Sequence, residues 1–206
     1  MAGKLLREFG SPEAIFNASL TALEAQNLPA PVAQAIHTRQ ALNDAARELA
    51  EVEQSRCRLI NWAEDSYPHL LRQIYDPPPL LYVKGNLELL DRHSIAIVGA
   101  RRPTPYGNQM AERLGRDLAE RGLVIVSGPA PGIDSCAHRG ALAARKGQGA
   151  TIGVLGCGID VIYPKENKKV FAEIEERGAM ISEFPLGAFP APRISPCATG
   201  SSQGWR

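Results

Sequence analysis

Three times between Ser94 and Asp160 an apolar run passes directly into a glycine turn. Ser94-Ile-Ala-Ile-Val leads into Gly99-Ala-Arg101-Arg102, Leu123-Val-Ile-Val leads into Ser127-Gly128 and Gly132-Ile-Asp134, and Thr151-Ile-Gly-Val-Leu leads into Gly156-Cys-Gly158-Ile-Asp160. Short continuous apolar runs are what strands buried on both faces of a parallel sheet require. A glycine at the end of each strand lets backbone amides come close to a ligand. In such sheets ligands sit beyond the carboxyl ends of the strands, so three turns on one edge can build one anion site.

Composition limits what that site can serve. The 206 residues carry a net charge of +1, so polyanion binding has to come from a local patch and not from a globally basic surface. No apolar run is long enough to span a bilayer, and Met1 to Phe9 is too short and polar for a secretory signal; the expected compartment is the cytoplasm. Cys57, Cys136, Cys157 and Cys197 form no C-x-x-C pair and no zinc spacing, which predicts reduced thiols and no metal site.

Along the chain, residues 1–55 read as a small helical bundle. Ser11-Pro12 and Ser19 are helix starts, Pro29 and Pro31 breaks, and Leu42, Ala46, Leu49 and Val52 recur at helical spacing. Residues 56–90 read as a connector with short strands at Arg58–Asn61 and Leu80–Lys84. Residues 91–187 alternate strand and helix. Helices are predicted over 105–121, with Met110, Leu114 and Leu118 facing inward and Gly122 closing it, over 134–146 and over 166–177, and a fourth strand over 179–182. This alternation predicts a doubly wound, mostly parallel α/β sheet, incomplete at four strands. Residues 188–206 lack periodicity and read as an aberrant, disordered tail.

General nucleotide fingerprints are missing: no G-x-G-x-x-G, no G-x-x-x-x-G-K-[ST] and no G-x-S-x-G. What is present is a phosphate-binding pattern. Arg101 and Arg102 supply guanidinium forks beside a helix start, Gly99, Ser127, Gly128 and Gly132 supply close backbone approach, and Gly156 and Gly158 form a third wall. His138 reads as a packing residue, Asp134 as a cap or hydroxyl ligand, and Tyr106 as either packing or a base-stacking ring.

These residues resemble the DNA-processing protein A (DprA/Smf) family. The resemblance rests on Ile97-Val-Gly-Ala-Arg101, Thr104-Pro-Tyr-Gly107, Ser127-Gly128, Gly132-Ile-Asp134, Ala137-His138-Arg139-Gly140-Ala141, Gly156-Cys-Gly158-Ile-Asp160-Val-Ile-Tyr163-Pro164 and Ser182-Glu183-Phe184-Pro185. It covers about residues 5–187, with Pro129 and Pro131 as departures that remove two amide donors from the second turn. It implies an extended Rossmann-like domain preceded by a helical SAM-like domain. It also implies a cofactor-free protein that is not an enzyme, binds single-stranded DNA, delivers it to the RecA recombinase in natural transformation and forms a homodimer. Against the family, the chain reads as truncated, with the tail from about Arg193 a frameshifted substitute for a basic segment. The rival reading is a nucleotide phosphoribohydrolase of the lysine-decarboxylase-like class, whose P-G-G-x-G-T-x-x-E motif is not found here; a third is a fragment without function.

Overall fold

A computed structural model of the protein describes residues 2–145 and 150–190. The tail beyond 190, with Cys197 and the expected frameshift, lies outside the described residues. The chain divides into two compact units, one ending at Gln54 and one beginning at Ser55.

In the first unit, α1 (Ala2–Phe9), α2 (Pro12–Asn17), α3 (Leu20–Glu24), α4 (Ala30–His37) and α5 (Gln40–Gln54) follow one another through short turns. Ser11 and Ser19 cap α2 and α3, their hydroxyls accepting the amides of Ala14 and Ala22 at 3.2 Å each. Pro29 and Pro31, read as breaks, instead start α4, because the amide that proline lacks goes unused in a first turn. Leu5, Ile15, Leu23, Leu28 and Ala33 form the core of the unit. The α5 stripe is not buried as expected: Val52 is buried, whereas Leu42 and Leu49 are exposed.

In the second unit, β1 (Arg58–Asn61), β2 (Leu80–Gly85), β3 (Ser94–Ala96), β4 (Val124–Ser127), β5 (Ala150–Leu155) and β6 (Ala179–Ser182) form one sheet in the order β1-β2-β6-β5-β4-β3. The β3–β4, β4–β5 and β5–β6 pairs are parallel, whereas β1–β2 and β2–β6 are antiparallel. The expected four-strand limit is therefore corrected: the strands of the predicted connector extend the sheet, with Tyr82 opposite Ser182 and Gly85 opposite Ala179. The fold is mixed α/β and Rossmann-like, as expected. Its winding differs in one respect. The connections through α7 (Pro105–Ala119), α8 (Ile133–Ala143) and α9 (Lys168–Arg177) all advance in one direction. Right-handed crossovers in one direction place all three helices on one face. Among the described residues the other face is covered by the 62–79 segment, with α6 (His69–Arg72), and by the 3-10 turn Leu87–Asp91.

The two faces are packed by different means. On the α6 side, Val124, Val126, Ile152, Val154 and Ile181 meet Tyr67, Leu71, Leu89 and Leu90 in an aliphatic core. On the α7–α9 side the seam is made of small residues. Ala111, Gly115 and Ala119 are buried on α7, one step round the helix from the expected Met110, Leu114 and Leu118, and Leu114 is exposed. The reason is backbone proximity: a Cβ on Gly115 would lie 2.4 Å from the Ala137 carbonyl oxygen, and one on Gly140 would lie 2.0 Å from that of Glu112. At Gly115 and Gly140 even a single Cβ has no room in this seam.

Candidate nucleic-acid interface

All eight residues expected at the site lie on the edge formed by the carboxyl ends of β3, β4 and β5. The first two turns are joined through their backbones. Ile133 N donates to the Ala100 carbonyl at 3.2 Å, and a Cβ on Gly132 would lie 2.2 Å from that same oxygen and 2.9 Å from Arg101 Cα. Gly132 adopts φ +95°, which glycine tolerates at little cost. Gly99 packs on Ile133, whose side chain would meet a Cβ there at 2.8 Å. The seam between α7 and α8 therefore sets where the amino end of α8 stands against the first turn.

Asp134 completes this junction. Its carboxylate accepts the Gly99 amide at 3.1 Å, and its other oxygen lies 3.3 Å from where a Cβ on Gly128 would stand. Burial pushes the carboxyl up to about 6, opposed by the Gly99 amide, the Arg101 guanidinium and its own backbone amide. Ser127 is buried, and its hydroxyl donates to the Ile97 carbonyl at 2.6 Å, so it fastens β4 to the end of β3. Arg101 and Arg102 are exposed.

The third turn is strapped to the chain after β6. Gly158 N donates to the Ala188 carbonyl at 2.8 Å, and the Asp160 carboxylate accepts the Gly187 amide at 2.9 and 3.0 Å. Gly156, partly exposed, directly follows β5. Asn167 ties this connection to the second turn: its amide donates to the Pro129 carbonyl at 2.8 Å and to Ser135 Oγ at 2.9 Å. Pro129 thus leaves the turn anchored through its carbonyl although it has no amide to offer.

Beside Arg101, a cavity of about 320 Å3 is lined by Asn108, Ser135, Cys136, Arg139 and Asn167. Arg139 donates to Cys136 Sγ at 2.9 Å, and Cys136 donates to Asn108 Oδ1 at 3.0 Å. Asn108 and Asn167 were not singled out from sequence, and Arg139 entered only within the Ala137–Ala141 motif, because polar residues on a helix look like a solvated face. Exposed Lys165, Lys168 and Lys169 line the third connection, and Tyr106 and Tyr163, 71% and 59% exposed, stand on the first and third.

His138, one turn into α8 from Asp134, is fully buried. Thr151 Oγ1 donates to the Ile125 carbonyl at 2.7 Å, and His138 Nδ1 lies within hydrogen-bonding distance of that hydroxyl, also at 2.7 Å. Burial pushes its pKa down to about 4, offset in part by the Gly128 and Ser127 backbone. It packs under the second turn with no access to a ligand.

Taken together, the parallel edge, its glycine turns and its exposed cations define a Rossmann-like module whose ligand edge suits phosphate. The family model for DNA recombination-mediator protein A matches residues 58–196, and the chain belongs to that family. It is 39% identical over 140 residues to DNA processing protein DprA of Bacillus subtilis, covering 68% of this chain and 46% of that protein. The solved structure of DprA from Streptococcus pneumoniae superposes with a TM-score of 0.74 at 33% identity, over 86% of this chain and 59% of that one. DNA processing protein A from Helicobacter pylori, described for its single-stranded DNA binding mode, superposes with a TM-score of 0.59 at 35% identity, over 69% and 62%. The chain spans less than half the length of the curated relatives it matches first. No helix among the described residues is long and apolar enough to cross a membrane.

Proposed function

We propose that this chain binds single-stranded DNA along the carboxyl edge of β3, β4 and β5 and acts by binding, not by catalysis. The observation that carries the reading is that three connections on one edge present Arg101, Arg102, Arg139, Lys165, Lys168 and Lys169 around backbone turns held rigid by Gly99, Gly132 and Asp134. Guanidinium forks and the amino end of α8 favour backbone phosphates of a flexible strand. Ser127, Gly128, Gly156 and Gly158 shape the edge, and the exposed rings of Tyr106 and Tyr163 offer stacking surfaces for unpaired bases. The relative from Helicobacter pylori, described for its single-stranded DNA binding mode, supports this reading. In the whole protein, the proposed role is to protect incoming DNA in the cytoplasm during natural transformation and to deliver it to RecA, as a homodimer.

Fluorescence anisotropy of a labelled oligothymidylate, titrated at several salt concentrations, tests the DNA step. The expected result is binding whose logarithm falls linearly with log salt and which unlabelled single strands compete better than duplex. Equal competition by duplex, or binding indifferent to salt, contradicts it.

A further inference from the structure

We infer that Asp134 makes this edge selective for an internal phosphodiester over a terminal phosphate. The inference rests on the proposed DNA-binding reading and names the phosphate class that the same site takes.

The amide of Gly99, at the mouth of the first turn, is a donor that an anion in this crevice would use. Here it already donates to Asp134, 3.1 Å away. The other carboxylate oxygen stands against the second turn at Gly128. An arriving phosphate therefore shares the crevice between β3 and β4 with a fixed carboxylate. Among the charged residues of the first turn, Arg101 acts directly on Asp134, and exposed Arg102 follows it. A phosphodiester brings a single negative charge beside this carboxylate. A terminal phosphate monoester carries close to two charges above neutral pH, and its second charge meets the carboxylate at short range. The selectivity comes from repulsion built into the site and not from an added contact. For a protein that tracks a strand, the consequence is binding along the interior of the chain without preference for phosphorylated ends.

Competition against a labelled oligothymidylate tests this, with thymidine 5′-monophosphate and its methyl ester as competitors. The two differ by one methyl group and one charge, and the comparison is made at about pH 8, where the monoester is dianionic. The wild-type chain is expected to take the methyl ester about tenfold more strongly than the monoester. In D134N, and in D134S, which keeps a residue suited to the first helical turn, the gap should close to within about twofold. Equal competition by both ligands in the wild type overturns the inference, as does a gap that both variants preserve. The wild-type comparison stands even if neither variant folds. If folded wild-type protein fails to bind the labelled strand at all, the binding reading falls and this inference falls with it. Binding without discrimination removes only the inference.

Discussion

The two faces of the sheet contrast in how they carry load. Under α7 and α8 the chain packs backbone on backbone at Gly115, Gly140 and Gly132, where a Cβ would collide with a main-chain atom at under 3 Å, and Gly99 packs as closely on the Ile133 side chain. On the other face, Leu71, Leu89, Leu90 and Tyr67 fill space with flexible side chains against Val126 and Ile152. The first face fixes the amino end of α8 relative to the first glycine turn and therefore holds the candidate site. The second supplies stability without touching the site. Loss of volume is absorbed by an aliphatic core at a graded cost, whereas a seam of glycines tolerates no added atom.

The sharpest way to break this contrast is G140V. Its side chain would meet the Glu112 carbonyl and push α7 from α8, costing about 3 kcal/mol or more and abolishing single-stranded DNA binding even where the protein stays folded. Urea unfolding paired with anisotropy checks both. L71A is the matched change on the other face. It should cost about 3 kcal/mol by opening a cavity around a fully buried leucine. Affinity for DNA in the folded protein should stay within about twofold, because the site lies beyond its reach. An affinity loss in L71A equal to that in G140V would show that the two faces are not separate.

His138 sharpens the comparison through pH. Its folded pKa, near 4, lies below the ordinary histidine value of 6.5, so the stability it supports is present above pH 6.5 and lost as pH falls toward 4. By about pH 5 that loss amounts to about 2 kcal/mol. Asp134 runs the other way: its folded value, near 6, lies above the ordinary 3.8, so its contribution is complete below 3.8 and lost as pH rises through 6. H138Q should therefore lose less stability than the wild type between pH 7 and pH 5, by chemical denaturation at each pH; parallel curves would remove His138 from the account. The smallest effect belongs to G122A. Gly122 has φ +87° and no atom near a would-be Cβ, so alanine there should cost about 1 kcal/mol through backbone strain alone and leave DNA binding unchanged.

β4 and β5 were legible because buried parallel strands are continuous apolar runs, and β3 by the same kind of run although Ile95 is exposed there; each of these three leads into a glycine turn. Ser11 and Ser19 were legible as caps for the same local reason. What was not legible depends on contacts distant in sequence. Arg58–Asn61 and Leu80–Lys84 read as strands, but nothing local reveals that β2 pairs with β6. Met110 and Leu114 were expected inside α7 because hydrophobicity is blind to a helix that approaches another by its backbone; the small residues Ala111, Gly115 and Ala119 mark that face instead. At the site, the glycines and arginines announced themselves. Asp134 was seen as a cap or ligand, yet its hold on Gly99, thirty-five positions away, follows only from the crossover that brings α8 beneath the first turn.

The central claim is that DNA lies on the carboxyl edge of β3, β4 and β5, on turns fixed by the glycine seam. Residue-resolved amide chemical shifts, followed by nuclear magnetic resonance as an oligothymidylate is added, test it most directly. The account predicts that the largest shifts fall on Gly99–Gly107, Gly128–Arg139 and Tyr163–Lys169. Shifts concentrated instead at the opposite end of the sheet, around His69, His93 and Leu123, would contradict it.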